Sequence, residues 1–213
     1  MRMERPEGTG RGARRDAGEA GHLTERAWID AAFRHIARNN VDDIRVEELA
    51  RELKVTKGSF YWHFRNRQHL VERVLEHWMD RATVQVTRWA RAEDRSGVER
   101  LRRLLSLPAA TPPDKHGADI ELAIRSWARR ETLAAETVAA VDRIRRDFFL
   151  ELMAELGFSG EDAARRAAIA QAFMLGESLL KTGGSKQERF AIVEACAAML
   201  AGGAGGGGWG RDG

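Results

Sequence analysis

Apolar residues recur at three- and four-residue intervals through most of this chain, the repeat of a helix with one buried face. Trp28, Ala31, Ala32 and Ile36 mark the first such stretch, with Thr24 placed to cap it and Asn39-Asn40 placed to end it. A short second helix spans 46–53, and a third begins after Thr56 as its cap and reaches about residue 64. Asn66 is placed to cap a long fourth helix over 67–91. Segments 97–107, 118–130, 133–156, 160–181 and 186–200 supply five more, with 108–117 as a loop and Gly157, Gly160 and Gly183-Gly184 as breaks. β-branched residues are scattered, and no Asn-Gly or Asp-Gly pair sits between two candidate strands. The pattern therefore predicts an all-α fold of nine helices.

The ends break the pattern. Residues 1–22 mix five glycines with both signs of charge, and 201–213 hold eight glycines in thirteen positions, with Trp209 among them. Such stretches lose too much backbone entropy to order themselves. This predicts a flexible arm over 1–22, a helix-turn-helix domain over 23–69, a helical regulatory and dimerisation domain over 70–200, and a flexible tail over 201–213. Composition narrows the class: 213 residues, 43% apolar and 31% charged, suffice for a packed core. Cys196 stands alone, which excludes an intramolecular disulfide and a multi-thiolate zinc site. No apolar run approaches the roughly eighteen residues of a membrane span, and no leader-like segment opens the chain. The expectation is a cytoplasmic protein with no membrane partner.

A net charge of +3 is too small to name a partner, but its distribution is uneven. Two short helices meet at a tight turn around Lys54-Val55, the spacing of a helix-turn-helix. Leu49, Ala50, Leu53, Val55, Phe60 and Phe64 supply its interior, and Phe60 and Phe64, four apart, share one helical face. Glu47, Glu48 and Glu52 lie on the first of these helices, whereas 54–67 holds Lys54, Lys57, Arg65 and Arg67 and no acid. Thr56, Ser59, Tyr61, Trp62 and His63 are interleaved with those cations. Hydroxyl, phenol and ammonium donors on an outward helix face suit phosphate oxygens and base edges.

The stretch from Trp28 to Val71, above all VEELARELKVTKGSFYWHFRNRQHLV (46–71), resembles the DNA-binding domain of the TetR (tetracycline repressor) family. The resemblance implies double-stranded operator DNA as partner. It implies that Thr56, Lys57 and Ser59 meet base edges or adjacent phosphates, that Tyr61 and His63 clamp the backbone or touch thymine methyls, and that Arg67 grips a phosphate. Gly58 lets the helix approach closely, and Trp62 is divided between phosphate contact and packing. Where the family often has Thr or Ser opening the second helix, this chain has Arg45-Val46; Arg45 weakens the cap yet has the reach for a phosphate.

Further along, the fourth helix carries two apolar stripes, Leu70, Val74, Trp78, Ala82 and Val71, Leu75, Met79, Val86, as expected of a helix buried between two bodies. Trp89, Ile124, Trp127, Phe148, Met153, Phe173 and Glu177 are candidates to line a small-molecule effector pocket, with Arg125 as a further polar member. Small residues over 163–176 and a stripe of Phe190, Val193, Ala197 and Leu200 suggest a homodimer interface of two helices per protomer. No catalytic motif is recognised, and no metal or cofactor is expected. The resulting expectation is a homodimeric repressor, released by a small molecule from a near-palindromic operator; the alternative is a ligand-independent regulator or activator of the same fold.

Overall fold

The computed structural model describes residues 23–91, 96–110, 117–180 and 184–202. The arm over 1–22 and the tail from 203 onward, Trp209 included, lie outside the described residues. Every regular element among the described residues is helical. The helices are α1 (Glu25–Arg38), α2 (Val46–Glu52), α3 (Lys57–Tyr61), α4 (Arg67–Asp80), α5 (Val86–Arg91), α6 (Gly97–Ala110), α7 (Gly117–Trp127), α8 (Thr132–Glu155), α9 (Gly160–Leu179) and α10 (Lys186–Ala201), with a 3-10 turn at Val41–Asp43. The first three helices form a helix-turn-helix domain, and a helical C-terminal domain follows.

Local chemistry accounts for the ends. Thr24 Oγ1 accepts from the Ala27 N–H at 3.4 Å, and Asn66 Oδ1 accepts from the His69 N–H at 2.8 Å, so both are side-chain caps. Thr56 sits at the cap of α3 in extended backbone, but its side chain makes no cap bond. Asn39 ends α1 in extended rather than left-handed backbone, its amide donating to His35 O at 3.2 Å. Lys54 takes φ +58°, with Lys54 N–H on Arg51 O and Val55 N–H on Ala50 O. This pair of bonds is the left-handed closure usually given to glycine, here held by a lysine at a local cost of about 1 kcal/mol. Gly157, φ +88°, closes α8 the same way and lays buried Phe158 against the core.

Three expectations change. The segment 108–117 is not wholly loop: α6 runs through Pro108 to Ala110. The proline forfeits one N–H bond, and buried Ala109 holds the last turn against the core. The tail does not begin at 201, because α10 includes Ala201 and closes on the Gly202 N–H. The fourth helix is not one α-helix. A π-helical turn, Arg81–Gln85, separates α4 from α5.

Packing divides the molecule into two apolar cores. One holds Trp28, Phe33, Ile36, Phe60 and Phe64 and continues without a break through Val74 and Trp78 into Ile120, Ile124 and Trp127 of α7 and Val141 of α8. The other gathers Ala90, Leu101, Leu104, Phe149, Met153, Ala167, Val193 and Leu200 from α5, α6 and α8–α10. Helix α7 therefore packs chiefly with α1 and α8 and touches α9 less.

The small residues of α9 divide between two faces: Ala164, Ala168 and Ala172 are exposed, and others turn inward. Ala163, Ala167 and Ala170 are buried within the protomer, where they let α9 approach its neighbours closely. Val193, Ala197 and Leu200 likewise fill the protomer's own core. The large apolar residues left to solvent on α9, just past its end and on α10 are Ile169, Leu180, Ile192 and Met199.

Candidate nucleic-acid interface

Helix α3 is only five residues long and is held by aromatic packing beneath it. Phe60 is fully buried, edge-on to Trp28 with centroids 5.4 Å apart and stacked on Phe64 at 5.1 Å. Burying a phenylalanine side chain contributes about 1.5–3 kcal/mol, and the ring pairs add about 0.5–1.5 kcal/mol each. This anchor fixes the rotation of α3, so the residues on either side of Phe60 face outward. Thr56, Lys57 and Gly58 are exposed, Ser59 and His63 are half-buried, and Tyr61 and Trp62 are 56% and 79% exposed. Exposing two large aromatics side by side is a cost that a monomeric surface rarely carries. Tyr61 stands edge-on to Phe60 at 5.3 Å, which steadies its ring while leaving its hydroxyl outward.

Charge is arranged around this face. Lys54, Lys57 and Arg65 are exposed. The acid-free run in sequence is not an acid-free surface, however, because Glu47 of α2 accepts a hydrogen bond from Lys57 Nζ. That bond raises the Lys57 ammonium above its ordinary value and holds the Glu47 carboxyl below its own. Both side chains are about half exposed, so the pair is a weak tether that a phosphate can replace. At Gly58 an added Cβ would meet only Thr56 Oγ1, at 3.5 Å, an ordinary contact. Nothing inside the protein requires glycine there; its missing side chain matters only to what approaches from outside.

Two arginines are placed differently from the sequence expectation. Arg67 does not face outward: its Nε donates to Ile44 O at 3.0 Å and its Nη2 to Val41 O at 2.7 Å. These carbonyls border the 3-10 turn, and the half-buried guanidinium braces it. Arg45 is exposed but donates to Asp42 O at 2.8 Å and to Ile44 O at 3.2 Å. Asp42 in turn accepts from Trp127 Nε1 at 3.1 Å and from Arg130 Nη2 at 2.6 Å. The Arg130 hydrogen bond leads in holding the Asp42 carboxyl below its usual range. The turn just ahead of α2 is thus pinned from α4 and from the end of α7.

The candidate effector residues do not converge. Ile124 and Trp127 belong to the core shared with the helix-turn-helix, and the Trp127 indole N–H is engaged by Asp42. Phe148 and Met153 belong to the other core, with Phe173 packed against it. Glu177 is paired with Arg189, Nε to Oε1 at 2.5 Å, and the side chain of Trp89 lies outside the described residues. The structure places an apolar cleft beside the π-turn, where Phe148, one of those candidates, meets Ala82, Val86, Leu104, Ile144 and Met174. Arg125 is not free to meet a ligand. It bonds bidentately to Asp142, at 2.9 and 2.6 Å, and to buried Glu121 at 2.8 Å; Arg145 grips the same Glu121 at 2.7 and 2.9 Å. Sequence reading missed this quartet, although an acid on the apolar face of α7, with Arg125 four residues on, was a signal for it. Burial pushes Glu121 up, but the bonds and charges of Arg145 and Arg125 outweigh it and hold the carboxyl below its ordinary value.

Similarity to known proteins falls on the same segment. Residues 29–74 match the family described as bacterial regulatory proteins, tetR family. Over 63 residues the chain is 36% identical to the HTH-type transcriptional regulator SrpR of Pseudomonas putida and to the uncharacterized HTH-type regulator TtgW of the same species. The match covers 30% of this chain, 29% of SrpR and 46% of TtgW, so it spans less than half of either curated relative. In overall fold the chain resembles a transcriptional regulator from Saccharomonospora viridis solved with choline, at TM-score 0.68 and 19% identity over 80% of this chain and 93% of that one. It also resembles FadR of Bacillus subtilis solved with stearoyl-CoA, at TM-score 0.64 and 16% identity over 84% and 98%.

Proposed function

Because the chain belongs to the TetR family of bacterial transcriptional regulators, we propose that it binds duplex DNA as a homodimer and acts as a repressor released from a near-palindromic operator by a small-molecule effector. The observation that carries this reading is the outward face of α3. Lys57, Tyr61 and Trp62 stand exposed on a helix whose rotation Phe60 fixes, beside Lys54 and Arg65. In the complex, Thr56, Lys57 and Ser59 reach base edges or phosphates, Tyr61 and His63 meet the backbone or thymine methyls, and Gly58 admits the groove wall. Trp62 adds apolar contact to sugar or methyl groups. Arg45 keeps its exposed side toward a phosphate, and Arg67 acts from within by fixing the turn ahead of α2.

A palindromic site needs a two-fold protein. Ile169, Leu180, Ile192 and Met199, between 53% and 71% exposed on α9, just past its end and on α10, support an isologous interface there. The effector enters the cleft beside the π-turn. The polar groups lining it are already engaged: Thr83 Oγ1 on Met79 O, Thr87 Oγ1 on Val84 O, and Arg145 on Glu121 and Ala82 O. The effector is therefore largely apolar. To empty an occupied operator it must favour the released state by about 5 kcal/mol.

Selection of bound sequences from a random duplex pool tests this reading. The wild-type chain is expected to enrich an inverted repeat whose half-sites lie about one helical turn, or a multiple of it, apart. The double variant Ile192→Glu, Met199→Glu is expected to run as a monomer and to enrich nothing. Absence of enrichment by the wild type at low salt overturns the proposal.

A further inference from the structure

The π-turn at Arg81–Gln85 lies where the two apolar cores meet. Upstream of it α4 is packed in the first core as far as Trp78, and Ala82 of the turn joins that core; downstream, Ala90 of α5 belongs to the second. Helix α8 crosses the same boundary between Val141 and Phe148, and the residue between them that faces the turn is Arg145. A π-turn carries one residue more per turn than an α-helix and strains the hydrogen-bond ladder, so such turns mark places where helices bend. Side chains support this one. Thr83, 1% exposed, donates to Met79 O at 2.6 Å, and Arg145 Nε donates to Ala82 O at 3.2 Å. Gln85 Nε2 reaches Asp80 Oδ2 at 2.6 Å, a five-residue span that matches the π repeat and not the α repeat.

Arg145 has a second engagement. Both its terminal nitrogens hold Glu121, the buried acid of α7, and α7 is fastened to the turn ahead of α2 through Trp127, Arg130 and Asp42. One guanidinium thus joins the π-turn, the helix α7 and the wall of the apolar cleft.

We propose that the π-turn is the hinge between a body of α1–α4 with α7 and a body of α5, α6, α9 and α10, and that Arg145 is the positioning residue that sets its angle. The inference rests on the DNA-binding reading above for its consequence, but not for its geometry.

Arg145→Lys separates this role from a structural one. An ammonium keeps a charge opposite Glu121 but cannot span Glu121 and a backbone carbonyl as a planar fork does. Amide hydrogen exchange at residues 81–87 is expected to quicken about tenfold in this variant, with the rest of α8 unchanged, and affinity for the selected duplex to fall about fivefold or more. Arg145→Gln is expected to give the same local effect together with general loss of stability. Deletion of exposed Val84, which removes the extra residue, is expected to slow exchange at 81–87 below the wild type. Exchange at the π-turn that is unchanged in Arg145→Lys, or that quickens only in step with the whole chain, overturns the hinge. A wild type that binds no duplex overturns the DNA-binding reading instead, and the exchange measurement still decides the hinge.

Discussion

Replacement of Glu121 by Gln is expected to lower the free energy of unfolding by about 3 kcal/mol. The carboxylate accepts from four guanidinium nitrogens at 2.7–2.9 Å and is 7% exposed. A neutral amide of the same shape leaves Arg145 without its counter-charge and Arg125 with Asp142 alone, and removing one partner of a buried pair costs far more than the pair contributes. For a chain of this size that corresponds to a melting point lower by about 6–12 °C at fixed protein concentration. The sign of the pH dependence follows from the depressed carboxyl. Its contribution is fully present above the ordinary value of 4.5 and is lost as pH falls through the lower folded value. The gap between wild type and Glu121→Gln therefore narrows toward acid. A melting point within about 1 °C of wild type at neutral pH would show that the quartet carries no net stability.

The triple variant Lys57→Ala, Tyr61→Ala, Trp62→Ala is expected to lose at least about a thousandfold in affinity for the selected duplex. Each contact of this kind is worth about 1–3 kcal/mol, and a dimer repeats the set twice. Lys57→Ala alone is expected to weaken binding evenly across sequences and to flatten the salt dependence by about one ion per half-site. All three side chains are exposed, so thermal stability should stay within about 0.5 kcal/mol of wild type. Retained affinity in a folded triple variant would remove α3 from the interface.

The helix-turn-helix was legible in the sequence because its determinants are local. Phe60 and Phe64 sit four apart, Asn66 caps three residues ahead, and the turn at Lys54 is bounded by apolar neighbours. What escaped reading depends on distance along the chain. Trp127 is an apolar helical residue in sequence, and only the fold brings it 85 positions back to Asp42. Ala163, Ala167 and Ala170 form a small-residue stripe, and periodicity cannot say whether its neighbour belongs to the same chain or to a second one. The π-turn was hidden because Ala82 and Val86 continue the apolar spacing of α4, and one extra residue in a turn leaves that spacing almost intact. Arg67 misled for a related reason: a cation beside a basic helix reads as phosphate-seeking until the carbonyls of Val41 and Ile44 are seen above it.

The most direct measurement places a photo-crosslinking amino acid, p-benzoylphenylalanine, at position 61 of the full chain and maps its adducts on the selected duplex. Crosslinks are expected at bases in the major groove, at symmetric positions in the two half-sites, with none from the same amino acid placed at position 169. A chain that binds the duplex while position 61 stays silent, or that crosslinks only from α9, would contradict the assignment of α3 as the element that enters the groove.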